Sequence, residues 1–206
     1  MGGSGLVARP VSQRPLAILA YGSLLHSPGA LGPLITGVVP CRTPFPVEYG
    51  RASQRWNGGP VLVPHPAGAP VDGGLLLLAA HLELGQAADL LAEREGLLSA
   101  RGILQVEVPG QERLVLTCSL PRNLPAPDMT PQALARRAVA SVHADGRLNG
   151  VRYLAGALAS GVVTPRSAAY RDAVLEAAGA GSLEEAERLL ALPRSEERGG
   201  FADGLG

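Results

Sequence analysis

The chain changes its repeat at Thr130. Before that residue, apolar side chains come in runs of strand length, broken by glycine and proline; after it, they recur at helical spacing behind capping residues. Leu16–Ala20 is one such run, closed by Tyr21-Gly22-Ser23. Gly37–Pro40 and Pro46–Ala52 follow, and Trp56-Asn57-Gly58-Gly59 is a turn signal ahead of Val61-Leu62-Val63. Leu75–Leu82 is an apolar run that fits a strand covered on both faces. Ile103–Val108 and Arg113–Leu120 complete the set, separated by Pro109-Gly110-Gln111-Glu112. In the second part, Thr130 with Pro131 opens a helix reaching about His143, and a second follows Asn149-Gly150 to near Gly161. Thr164-Pro165 opens a third, and Ser182 with Glu185 makes a capping box for a fourth. The implied class is α+β, with sheet first and helix after. One domain over 15–192 accounts for it, helical from about 130, between a flexible leader (1–14) and a flexible tail (193–206).

One helix interrupts the strand half. Gly85–Leu98 places Ala87, Leu90, Leu91, Leu97 and Leu98 on one face. At about 100° per residue, Glu95 lies about 40° from Leu91, beside that stripe, whereas Glu93 lies about 160° away and faces solvent. Glu95 therefore has two readings. It is an amphipathic edge residue paired with an arginine such as Arg101, or a proton-transfer group tuned by partial burial and by its place in the last helical turn before Gly96. Glu48, between Val47 and Tyr49, reads as the solvent face of a strand. Trp56 reads as a packed hairpin aromatic first and a substrate platform second.

Composition removes whole classes of chemistry. All 18 basic residues are arginine, so a Schiff-base lysine, a phosphate-loop lysine and a Ser-Lys dyad are excluded; a GC-rich genome is the simplest source of that bias. The 18 acidic residues balance them, and no basic stripe interleaves with aromatics, which argues against nucleic acid and anionic membrane surfaces as partners. Cys41 and Cys118 belong to no Cys-x-x-Cys pattern, and the four histidines have no ligand spacing; a reduced cytoplasmic protein without a metal or other cofactor is expected. No apolar run reaches membrane-spanning length, and the N-terminal segment lacks the apolar core of a signal peptide.

Three separated stretches, "AYGSLL", "SQRWNGGPVLV" and "LLAEREG", in that order resemble the γ-glutamyl cyclotransferase family. Asn149-Gly150 followed by Tyr153-Leu154 is similar to a further family segment, so the likeness runs over about 15–160. It implies a small mixed β-barrel flanked by helices, with a pocket at the barrel mouth. It also implies a γ-glutamyl amine or peptide as substrate, whose own α-amine attacks its γ-carbonyl to give 5-oxoproline and a free amine. Glu95 would be the general acid/base, with Tyr21, Gly22, Ser23, Leu24, Trp56 and Tyr153 around the substrate. No cofactor is implied, and a homodimer is left open. One departure stands out. The aromatic expected several positions after the catalytic glutamate is missing from Ser99-Ala100-Arg101-Gly102, leaving Tyr49 or Tyr153 to replace it. A non-catalytic binding or regulatory protein on the same fold is the competing reading. A Ser23 acyl nucleophile lacks the Gly-x-Ser-x-Gly context and a placed histidine.

Overall fold

The computed structural model describes residues 14–143 and 148–192. Apart from the exposed Arg14, the leader and tail expected from the sequence lie outside the described residues. Strands β1 (Leu16–Ala20), β2 (Ile35–Arg42), β5 (Asp72–Leu78), β6 (Ile103–Val106) and β7 (Leu114–Cys118) form one mixed sheet in the order β2-β5-β1-β7-β6. β1 and β7 run parallel and the other neighbours antiparallel. Strands β3 (Val47–Ser53) and β4 (Gly59–Pro64) make a separate hairpin. The class is thus α+β, and no ladder among the described residues closes the strands into a barrel.

Central β1 is buried throughout because its side chains serve two cores. Leu16, Ile18 and Ala20 point to one face, where α2 (Leu84–Glu95) covers them with Ala87 and Leu91; Ala17 and Leu19 meet Leu75, Val108 and Val115 on the other. The hairpin belongs to a third core, shared with α3 (Pro131–Ala140), α4 (Gly150–Ala159), α5 (Ser167–Ala178) and α6 (Leu183–Ala191). The caps read at Thr130 and Ser182 are in place, Asn149 is a third, and the helix expected from Thr164-Pro165 begins instead at Ser167. Thr130, Asn149 and Ser182 accept from the amides of Ala133, Arg152 and Glu185. The Glu185 carboxylate reaches the amide of Gly181, one residue upstream of the N-cap amide that a full capping box would use. Backbone contact ties hairpin to helix. A Cβ on Gly59 would sit 2.5 Å from the Gly150 Cα, so only glycines let β4 meet the start of α4 this closely. That contact sets where Tyr153, one turn along, must lie.

Two expectations need correction. α2 ends at Glu95, where Gly96 takes a left-handed conformation (φ 70°), so Leu98 lies outside the helix and is fully exposed. Glu48 is fully buried, not on a strand surface. Val47, Glu48 and Tyr49 are all buried because the hairpin is covered on both faces, and alternation has no solvent side to report. None of the described helices is long and apolar enough to cross a membrane.

Candidate active site

Between the sheet, the hairpin and the end of α2 lies a cavity of about 420 Å³. Six of the seven residues singled out from the sequence line it: Tyr21, Ser23, Leu24, Trp56, Glu95 and Tyr153. The seventh, Gly22, sits behind them. Its φ of 64° and ψ of −134° are a glycine conformation, and a Cβ there would be 2.9 Å from the Tyr153 hydroxyl. That hydroxyl accepts a hydrogen bond from the Leu62 amide at 3.1 Å, and the Tyr153 ring meets Trp56 edge-on with centroids 4.9 Å apart. Tyr153 is therefore fixed on three sides by the hairpin and the Gly22 turn. It lines the cavity, whereas Tyr49 packs behind it with centroids 6.5 Å away and is not a wall residue. Trp56 is the packed hairpin aromatic expected, edge-on to Tyr153, and it also lines the cavity.

Sequence reasoning missed the residue that organises the site. The side chains of Arg94 and Glu95 are only 5% and 13% exposed, and Arg94 Nη1 donates to Glu95 Oε1 at 2.5 Å. The same guanidinium donates through Nη2 to Ser23 Oγ at 3.1 Å, and through Nε and Nη2 to the Ser27 carbonyl, each at 3.0 Å. One guanidinium thus spans the end of α2 and α1 (Ser23–His26), with all three nitrogens engaged. Arg101, the partner expected for Glu95, is exposed and plays no part in this contact. A signal for Arg94 was present: it lies about 60° from Leu91 on the helical wheel, so an arginine falls on the apolar stripe itself. Glu95 Oε2 has no hydrogen bond among the described residues. No hydrogen bond among the described residues uses the amides of Ser23 or Leu24 either.

The rest of the wall is neutral or cationic. Burial pushes the Tyr21 and Tyr153 phenols well above the ordinary range, so both keep their protons. Burial, aided by the Glu95 charge, pushes the Cys118 thiol up to about 12, which leaves it a neutral wall group at pH 7. Arg51 and Arg55, given no role of their own in the sequence reading, line the hairpin side. His26, the histidine nearest Ser23 in sequence, pairs with Ser160 and not with Ser23, whose hydroxyl is held by Arg94. Among the described residues, no base is hydrogen-bonded to the Ser23 hydroxyl.

A comparison of the chain with protein-family models, curated proteins and solved structures found no match.

Proposed function

We propose that the chain is a γ-glutamyl cyclotransferase acting on a γ-glutamyl amine or peptide. The observation that carries the reading is a nearly buried carboxylate with one unused oxygen, lining a cavity a single guanidinium away from the Ser23 turn. Glu95 Oε2 takes a proton from the substrate's α-ammonium, and the freed amine attacks the γ-carbonyl of the same molecule. Proximity is built into the substrate, so the protein needs only to hold the folded conformer; such orientation is worth several kcal/mol. The unused amides of Ser23 and Leu24 supply donors for the substrate carboxylate or the developing oxyanion. As the carbon–nitrogen amide bond breaks, the Glu95 carboxylic acid returns its proton to the departing nitrogen. The ring nitrogen sheds two protons and the departing nitrogen gains two, so no water is consumed and no net proton is exchanged.

The same reading takes the five-stranded sheet and the hairpin as parts of one small barrel wall. It is supported by β1, β3, β4 and β7 all contributing to the cavity. Two free thiols suit a reduced cytoplasmic setting. One chain supplies every residue invoked, so a homodimer is not needed for turnover. A second reading, a binding module without turnover, draws support from Glu95 Oε1 being already committed to Arg94. Incubation with a panel of γ-glutamyl amides and detection of 5-oxoproline separates the two. Product from wild type and its loss in Glu95→Gln is the expected result; thermal stabilisation by a ligand with no ring product at all would favour the module.

A further inference from the structure

The charges around the cavity do not cancel. Arg51, Arg55 and Arg94 line it against one carboxylate, Glu95. Arg94 and Glu95 offset each other's charge, which leaves Arg51 and Arg55 without an acidic partner among the described residues. Each of these two spends little of its hydrogen-bonding capacity on the protein. Arg51 Nη1 donates to the Pro121 carbonyl at 2.8 Å, and Arg55 Nη1 donates to the Arg94 carbonyl at 2.6 Å. A guanidinium carries five N–H donors in a planar fork, so most of each fork is unused. Both residues come from the hairpin side, Arg51 from β3 and Arg55 from the 3₁₀ turn Gln54–Trp56. Ser23 and Glu95 come from the other side. The carbonyl contacts hold the two arginines in place without neutralising them.

We infer that Arg51 and Arg55 form an anion subsite for the departing half of the substrate, selecting leaving groups that carry their own carboxylate over neutral or cationic amines. The inference rests on the cyclotransferase reading for the word "departing", and on charge for the rest. A γ-glutamyl head is a zwitterion. With its ammonium at Glu95 and its carboxylate at the Ser23 turn, it leaves the cationic excess of the hairpin wall untouched. A neutral amine leaving group adds nothing to offset that excess, and a cationic one, such as a diamine, is repelled by it. A leaving amino acid or peptide brings one negative charge to two guanidiniums whose donors are otherwise idle. Arg55 is exposed and Arg51 half-buried, so the effect should be one of selection and should weaken with salt.

The test measures binding and turnover separately. Calorimetric titration compares γ-glutamylalanine with γ-glutamylalaninamide, which differ only in the terminal carboxylate, on wild type, Arg51→Gln, Arg55→Gln and the double variant. γ-Glutamylalanylglycine moves the carboxylate one residue outward and distinguishes an amino-acid from a peptide leaving group. Wild type should prefer one or both carboxylate ligands by about tenfold or more, as one charge-assisted contact provides. The preference should fall to within about threefold in the double variant and shrink between about 50 mM and 500 mM salt. Equal binding of acid and amide by wild type overturns the inference, as does a preference that survives in the double variant. Should the preference behave as expected while no 5-oxoproline forms, the anion subsite stands and the cyclotransferase reading falls.

Discussion

Two carboxylates in this molecule are each paired with an arginine, and their surroundings make them opposites. Glu48, on β3, is fully buried, and both of its oxygens are used. Oε1 accepts from the Tyr49 amide at 3.0 Å and the Thr164 hydroxyl at 2.6 Å, and Oε2 accepts from Arg166 Nη1 at 3.0 Å. Glu95 meets an arginine through one oxygen only, and the residue lines a cavity. A carboxylate with three hydrogen bonds spread over both oxygens locks the hairpin to the start of α5; one with a single partner beside open space has an oxygen to offer a ligand. Burial alone does not separate the two carboxylates. The number of unassigned acceptors does.

Substitutions should pull the two apart. On the cyclotransferase reading, Glu95→Gln is expected to lower kcat by about 10²–10⁴-fold, the usual worth of one general acid/base, and, by leaving the nearly buried Arg94 guanidinium without its carboxylate, to lower the thermal midpoint as well. A variant that keeps wild-type kcat would remove Glu95 from the mechanism. Arg166→Ala should act on stability alone. It strands a fully buried charge at Glu48 and should cost about 3–5 kcal/mol in urea denaturation, with kcat per folded molecule retained. Gly22→Ala comes next, at about 1–3 kcal/mol. It strains a glycine conformation and drives a methyl group onto a Tyr153 hydroxyl that cannot retreat. A raised KM for the γ-glutamyl ligand should accompany the loss; unchanged stability would show that the turn adapts.

Smaller effects come from two nearby groups that sense these charges. Glu95 helps hold the Cys118 thiol up near 12, so Glu95→Gln should speed iodoacetamide labelling of Cys118 at pH 8, although Cys41 should still react first. Unaltered kinetics would mean that the Glu95 charge is not felt across the cavity. On the other side, burial, Arg122 and Arg166 push the His65 imidazole below its ordinary value, while Glu48 pulls it up. Glu48→Gln should therefore lower the His65 midpoint further in an NMR titration. The sign for stability follows from the same shift. The unfolded chain binds this proton more tightly, so the contribution of His65 is complete above about pH 6.5 and fades as pH falls through the folded value.

Much of this was written into the chain. β1 was legible to the residue, because an apolar run between Pro15 and Tyr21-Gly22-Ser23 has only one way to be a strand. Thr130 and Ser182 announced two helix starts through capping chemistry that acts within four residues. Local sequence also marked Gly22 and placed Glu95 at the end of its helix. Glu48 was misread because alternation can show which side chains share a face, but not whether a later segment covers both faces. Thr164 and Arg166, more than a hundred residues on, decided that. Arg94 was passed over because its contacts with Ser23 and Ser27 join segments some seventy residues apart.

The sequence by itself determined most of the strands, the caps at Thr130 and Ser182, the glycine turn after β1 and the absence of lysine chemistry, since each of these depends on a residue and its near neighbours. Only the tertiary structure decided that the Tyr21–Leu24 turn, Trp56, Tyr153 and Glu95 share one cavity, and that Arg94 ties two of them together. Long-range packing is set by which surfaces cover one another, and a linear pattern holds no record of that.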